Sequence, residues 1–561
     1  MPGGDETFTD TVSHLRRLFA EGHVLIGVCA SGILIRALGP VLADKEDEPP
    51  VLAVAVDGSA VVPLVGGHHG ANDMARTLAR LFDVSPAITT AGDLRWGLAL
   101  DEPPAGWRVA NPVAAKTIMA ALVEDKPVAL RVEAGDVGWI TTRGAPFVTT
   151  PAVLTVRVTD RAAAISDQTL VLHPPTLALG VGCERGVPPS ALASHVFLTL
   201  ARQGLSPQSV AVVASLDVKA DEPAVLALAD TLAVPARFFS AVELEALTPR
   251  LSHPSATVFQ AVSCHGVAEA AALAAAGRDA VLAVEKQRGD RVTCAVARAS
   301  GAIDPLQVGR AQGRLHVVGI GPGAAAWRTP AASAAIAESR HVVGYGLYLD
   351  LLGCAAHGKV RHDSPLGAET DRVHTALDLA ASGETVALVC SGDAGFYALA
   401  SLVFEQMARV DRADWNRVAV EVTPGVSAMQ AAAARVGAPL GHDFCVLSLS
   451  DLLTPWPVIQ GRLEAAAAAD FVVALYNPVS RRRRDQLVRA RDILLAHRAP
   501  DTPVVLARNL GRIGEHLSFI RLETLTPDQA DMVTVILIGN SESRRVTLGR
   551  REWVYTPRGY G

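Results

Sequence analysis

The stretch Arg314-Leu-His-Val-Val-Gly319-Ile-Gly321-Pro322-Gly323 decides the reading of this chain. Its β-branched run predicts a strand over 314–320, and the Gly/Pro cluster then predicts a sharp turn before an alanine-rich helix. Glycines let the backbone turn and come close to a ligand. The loop N–H groups and the helix N-terminus suit an anionic group. The turn lacks the third-glycine spacing of G-x-G-x-x-G, and no Lys-Ser/Thr follows it as in a phosphate-binding P-loop. Neither Glu338 nor Asp350 has the spacing of a ribose-binding acid, which argues against a dinucleotide site.

The same grammar of strand, turn and helix recurs downstream. It is read at Val389-Cys-Ser391-Gly392-Asp393-Ala-Gly395-Phe396-Tyr397, at Val422-Thr423-Pro424-Gly425-Val426-Ser427-Ala428-Met429, and at Leu475-Tyr476-Asn477-Pro478. Any one of these is more often a plain turn, with Asp393 a helix cap. Four in one order are a much stronger signal. Upstream, strand-like runs at His23–Cys29, Val51–Val56, Ala60–Val65, Ala87–Thr90, Thr176–Val181, Val210–Ala214, Val281–Glu285 and Thr293–Ala297 are separated by helix-patterned runs. The fold class expected is α/β, multidomain, with mainly parallel sheets. Between them, 91–167 carries one good helix at Val113–Glu124 and strand-like runs at Val128–Glu133, Val148–Val158 and Ala162–Ile165, but no chemical motif.

Composition narrows the function class. The chain has 561 residues, half of them hydrophobic, with 51 Lys+Arg against 57 Asp+Glu and a net charge of −6. It is too apolar for a disordered chain. Its acidic balance argues against a nucleic-acid binder, which needs a basic face. No apolar run is long enough for a membrane helix, so no membrane partner is expected. The first ten residues carry no basic region, and the seven cysteines are scattered without a C-x-x-C. A cytoplasmic chain with free thiols is expected.

With those motifs in view, Leu315 to about Gly549 resembles the tetrapyrrole methylase family, in its precorrin-3B C(17)-methyltransferase branch. The resemblance rests on GIGPG at 319–323, SGDAGFY at 391–397, TPGVSA at 423–428, GHDF at 441–444, SLSD at 448–451 and LYNP at 475–478. Ala394 stands where the family commonly has proline. The resemblance implies a two-lobed methylase fold with S-adenosyl-L-methionine between the lobes, a precorrin substrate and a homodimer. Carried over by position, it implies cofactor contacts from Pro322, Ser391, Gly392, Asp393, Ser427, Ala428, Tyr476, Asn477, Arg508, Thr534 and Ile536. Gly321 and Gly323 are substrate-side candidates. The implied reaction is methylation at carbon 17 with ring contraction, for which a general base is expected. His442 and Asp443 are candidates by motif position, against a structural hydrogen-bonded pair. The substrate carries many carboxylates, so Arg481 and Arg482, opening the run Arg481–Arg484, are candidate anchors, against a solvated helix start.

In the N-terminal half, Val62-Pro63-Leu-Val-Gly66-Gly67-His68-His69-Gly70-Ala-Asn72 is a dense loop before a helix. His68 and His69 suit metal binding or proton transfer, but no ligand at i+3 or i+4 supports a metal site and none is expected. Lys286 closes a strand, with an exposed lysine as the plain reading. CASGILIRALGPVL (29–42), PLVGGHHGAND (63–73), ITTAGD (88–93), LGVGCERG (179–186), SLDVKADEP (215–223) and VEKQ (284–287) resemble the CbiG family of cobalt-precorrin 5A hydrolases. This implies opening of a ring lactone with loss of acetaldehyde. His68, His69, Asn72, Glu184, Lys219 and Lys286 are its motif positions. The alternative is a non-catalytic tetrapyrrole-binding or scaffold module, with cobalt-precorrin-3 as the methylase substrate. The modules expected are 1–85, 86–173 and 174–300 of CbiG type, a linker at 301–313, and methylase lobes at 314–422 and 423–561.

Overall fold

A computed structural model describes residues 8–43, 48–88, 96, 98–142, 144–480 and 483–559, with position 68 described for its backbone alone. The chain divides into two units, one covering Glu6–Gln312 and the other Gly313–Gly561.

In Gly313–Gly561 the strands form two five-stranded sheets and a small third one of Gly437–Ala438, Arg551–Tyr555 and Arg544–Leu548. The first has the order Val360–Ser364, His341–Tyr345, Thr385–Cys390, Arg314–Gly319, Ala419–Thr423, and all pairs are parallel. Its central strands are buried on both faces, so Thr385–Cys390 reads as an almost unbroken apolar run, and Arg314–Gly319 buries His316 within its own. The second sheet has the order Phe444–Ser448, Val472–Tyr476, Thr534–Ile538, Pro503–Arg508, His516–Arg521. Thr534–Ile538 runs antiparallel to both of its neighbours. The carboxyl ends of Phe444–Ser448, Val472–Tyr476 and Pro503–Arg508 therefore share one edge with the amino end of Thr534–Ile538.

Glu6–Gln312 holds three sheets. Leu25–Val28, Val51–Val54 and Val61–Val65 make the first. The middle sheet runs Arg108–Val109, Thr169–His173, Leu154–Val158, Val128–Val132, Phe147–Val148, and packs on the helix Pro112–Val123. The third runs Ala236–Phe239, Val210–Leu216, Leu177–Cys183, Val292–Arg298, Val281–Arg288, with the last two strands an antiparallel hairpin rather than a parallel unit.

Two readings of the middle region change. The run expected at Val148–Val158 is two strands, Phe147–Val148 and Leu154–Val158. Pro151 lies in the break and has no N–H to give a ladder. Ala162–Ile165 is not a strand; the apolar run Thr169–His173 takes the ladder beside Leu154–Val158. The strand expected at Ala87–Thr90 lies partly outside the described residues, and Pro86 makes only an isolated bridge to Val61.

Candidate active site

Three of the glycine turns meet because their strands are neighbours. Arg314–Gly319 lies between Thr385–Cys390 and Ala419–Thr423. The chain leaves Arg314–Gly319 toward His341–Tyr345 on one side, and leaves Thr385–Cys390 toward Ala419–Thr423 on the other. A crevice opens between strand ends whose connections diverge in this way, and open α/β sheets bind ligands there.

The turns touch through their backbones. Gly321 and Gly392 exchange N–H···O bonds of 3.1 and 2.7 Å, both at positive φ, +77° and +70°. A Cβ on Gly425 would stand 2.2 Å from the carbonyl oxygen of Gly392 and 2.6 Å from that of Gly319. Only glycine allows that approach. Asp393 braces the assembly, its Oδ1 accepting the N–H of Gly395 at 2.8 Å and its Oδ2 that of Gly425 at 2.9 Å.

The second sheet supplies the facing wall. Ser427 caps the helix Ala428–Val436 and forms a capping box with Gln430. The Tyr476 hydroxyl accepts the N–H of Met429 at 2.9 Å, and Ser427 Oγ that of Gln430 at 3.2 Å. Asn477 sits at φ +50° and donates from Nδ2 to Ser448 Oγ at 3.1 Å. Arg512 reaches across: its Nε donates to the Pro322 carbonyl at 2.7 Å and its Nη2 to Ser391 Oγ at 2.8 Å. The cleft between them has a volume of about 200 Å³ and is lined by Pro322, Ser391, Gly392, Asp393, Ser427, Ala428, Tyr476, Asn477 and Thr534, together with Tyr348, Tyr397, Asn509 and Arg512.

Burial sets the chemistry of these groups. It pushes the Tyr348, Tyr397 and Tyr476 phenols above their ordinary range, so they keep their protons at neutral pH. It pushes the Cys390 thiol up to about 11, which leaves no thiolate beside the turn.

Three stretches match known families: Tetrapyrrole (Corrin/Porphyrin) Methylases over 314–526, Cobalamin synthesis G C-terminus over 177–297 and Cobalamin synthesis G N-terminal over 13–93. A precorrin-3B C(17)-methyltransferase of a Sinorhizobium species is 44% identical over 249 residues, covering 44% of this chain and 97% of that protein. The chain belongs to the tetrapyrrole methylase family. A probable cobalt-factor III C(17)-methyltransferase of Salmonella typhimurium is 42% identical over 246 residues, covering 44% of this chain and 99% of that protein. Cobalamin biosynthesis protein CobIJ of Mycobacterium tuberculosis is 43% identical over 252 residues, which are 44% of this chain and 48% of that protein. The chain thus spans about half the length of that relative.

Several of the candidates lie outside the methylase cleft. His442 and Asp443 precede Phe444–Ser448, at the amino end of the strand, while the cleft is at the carboxyl end of the adjacent, parallel Val472–Tyr476. Five residues of strand, about 16 Å, lie between. There His442 Nδ1 accepts the Asp443 N–H at 2.7 Å, the structural pair weighed above. Ile536 faces the core with Leu475 and Leu506. Arg508 turns outward to Asp531, Nε···Oδ2 2.7 Å. Gly321 packs against the Trp327 carbonyl and Gly323 against Gly511 and Arg512.

Arg481 and Arg482 lie outside the described residues. The other two arginines of the run are engaged by protein. Arg483 is buried, donates to the Asn477 carbonyl at 2.8 Å and faces Asp451 at 3.8 Å. Arg484 pairs with Asp528. Tyr348, Asn509 and Arg512 were not among the sequence candidates. The signal for the latter two was present: Asn509-Leu-Gly511-Arg512 repeats the strand-then-glycine grammar after Pro503–Arg508.

In Glu6–Gln312 the candidates are dispersed. The His68 side chain lies outside the described residues, and His69 is exposed at the end of the short helix Gly67–His69. Asn72 is buried at the start of Ala71–Phe82. Glu184 pairs with Arg291 at 2.6 Å, and Lys219 lies 3.4 Å from the buried Glu222. Burial holds the Lys286 amine below its ordinary range, and it donates to the His253 carbonyl at 2.6 Å. Among the described residues no hydrogen bond or ion pair joins His69 to Lys286.

Proposed function

We propose that this chain is an S-adenosyl-L-methionine-dependent methyltransferase of corrin-ring biosynthesis, methylating carbon 17 of precorrin-3B with ring contraction. The observation that carries the reading is the cleft at the diverging strand ends, walled by four glycine and tyrosine turns, in a unit 44% identical to almost the full length of a precorrin-3B C(17)-methyltransferase.

The residues fit the cofactor. A Cβ on Gly392 would have no atom nearer than 3.9 Å, so the missing side chain leaves room in the cleft beside Ala428. Ala428, Ala507 and Val535 offer an apolar wall for a purine ring. Pro322, Ser391, Gly392, Asp393, Ser427, Tyr476, Asn477 and Thr534 surround the remainder. Bound there, S-adenosyl-L-methionine supplies an already activated methyl group. The chain's part is to align the acceptor carbon and exclude water, and alignment alone is worth several kcal/mol. The phenols of Tyr397 and Tyr476 hold their protons, and both Asp393 oxygens are occupied by N–H donors. These groups orient rather than abstract.

A second reading, with the cobalt-bearing substrate, is favoured by the Salmonella relative, whose 42% identity nearly equals the 44% of the precorrin-3B enzyme. The three sheets of Glu6–Gln312 are taken as the CbiG-like modules 1–85, 86–173 and 174–300, opening a ring lactone and releasing acetaldehyde; the non-catalytic binding module is the rival. A cytoplasmic homodimer, joined through the methylase half, completes the proposal. Among the described residues no helix is long and apolar enough to cross a membrane.

Calorimetry of the full chain with S-adenosyl-L-methionine tests the methylase reading, and absence of binding overturns it. Acetaldehyde assay after incubation with cobalt-precorrin-5A tests the N-terminal half: release excludes a pure scaffold, and none excludes the hydrolase.

A further inference from the structure

The Ser448–Asp451 motif is not absorbed by the cofactor cleft. It borders a second cavity of about 300 Å³, walled by Tyr397, Val446, Leu447, Ser448, Thr454 and Arg462. Tyr397 stands in both cavities, on the cleft side with Phe396 and on this side with Val446, whose carbonyl takes its hydroxyl at 3.1 Å. Tyr397 holds φ +50°, a left-handed conformation that costs a residue with a large side chain. Ser448 is tied to the cleft through the Asn477 amide at 3.1 Å.

The charge pattern separates this cavity from its surroundings. Of the described arginines that close or follow the strands Val472–Tyr476 and Pro503–Arg508 in the cleft region, four are spent on protein: Arg483 on the Asn477 carbonyl, Arg484 on Asp528, Arg508 on Asp531, and Arg512 on Pro322 and Ser391. Arg462, on the helix Trp456–Ala468, is exposed, and no described residue accepts a hydrogen bond from it or pairs with it. The acid two residues on, Glu464, is held by Gln460 at 2.9 Å. The cavity floor of Val446, Leu447 and Ile459 is apolar, which strengthens any charge pairing made above it. The loop leading into Thr454 carries Leu452 and Leu453 at 86% and 98% exposure. A polycarboxylate ring offers both partners these features call for: a flat apolar face for the leucines and a peripheral carboxylate for an open guanidinium fork.

We propose that the cavity between Tyr397 and Arg462 is the subsite that takes a carboxylate-bearing side chain of the tetrapyrrole, with Arg462 as its anchor. Tyr397 is the shared wall that sets the ring's distance from the methyl-donor cleft. This rests on the methylase reading for the identity of the ligand, not for the existence of the site.

The test uses the full chain with R462A and R462K, and two ligands measured separately. Uroporphyrin, an octacarboxylate tetrapyrrole, is titrated by its fluorescence, and S-adenosyl-L-methionine by calorimetry. R462A is expected to weaken uroporphyrin binding about tenfold or more, R462K less, and neither to change cofactor affinity. In turnover with the precorrin, KM is expected to rise with kcat nearly unchanged. Unchanged uroporphyrin affinity in R462A overturns the subsite while leaving the methylase reading intact. Arg462-dependent uroporphyrin binding by a chain that binds no S-adenosyl-L-methionine supports the subsite and overturns the methylase reading.

Discussion

Arg512 Nη2 lies 2.8 Å from Ser391 Oγ, and the same guanidinium holds the Pro322 carbonyl from Nε at 2.7 Å. One side chain from the second sheet thus fixes two of the turns of the first. Burial lowers its affinity for a proton, yet it stays cationic at any working pH. Replacing it with alanine removes the two charge-assisted bonds that tie these turns to the loop after Pro503–Arg508. R512A is expected to weaken S-adenosyl-L-methionine binding about ten- to hundredfold by calorimetry, with R512K intermediate because an ammonium cannot fork.

The turns themselves demand glycine. A methyl group on Gly425 would collide with two carbonyl oxygens, at 2.2 and 2.6 Å. G425A is expected to cost about 1–3 kcal/mol in denaturant unfolding and to abolish cofactor binding. The contrast is Gly461, inside the helix Trp456–Ala468, where an added Cβ meets nothing within 4 Å. G461A is expected to stabilise by about 0.5–1 kcal/mol and to leave binding unchanged.

These glycines also show what was legible in the sequence. Gly319 and Gly425 mark close backbone approach and Gly392 a left-handed turn at φ +70°, local demands that a local motif reports. His442 misleads because a motif reports nearness in sequence, and only strand direction says which end of Phe444–Ser448 faces the cleft. The run Arg481–Arg484 looks like an anion patch by charge alone, whereas Arg483 is turned into the protein by the Asn477 carbonyl and Asp451. Arg512 escaped because its partners lie 121 and 190 residues away. No periodicity carries a contact over that separation. In the N-terminal half Thr169–His173 was missed because a short apolar run at a loop end competes with its neighbour Ala162–Ile165 on equal terms.

His173 sets an acid limit on the Glu6–Gln312 unit. The ring is buried, its Nδ1 donating to the Thr159 carbonyl at 2.7 Å, and burial holds its pKa below the ordinary value against that bond and Asp160. The unfolded chain therefore takes up the proton first. The neutral ring's stability contribution is fully present above about pH 6.5 and is lost as pH falls through the lowered folded value. Thermal melts of H173Q are expected to lose less stability than the wild type between about pH 7 and pH 5.

Cys390 and Cys354 differ in reactivity for a physical reason. Cys390 is buried at the strand end with its thiol pushed up to about 11, whereas Cys354 is exposed. Alkylation of the native chain near neutral pH, read by peptide mass spectrometry, is expected to label Cys354 and spare Cys390.

The central claim is methyl transfer from this cleft. Its most direct measurement is anaerobic incubation of the full chain with S-adenosyl-L-methionine and, separately, precorrin-3B or its cobalt-bearing counterpart, followed by mass spectrometry of the tetrapyrrole. A product carrying one added methyl group is expected from one of the two substrates, with a marked loss of that product in R512A. Full recovery of both substrates unmethylated by a folded wild-type chain would contradict it.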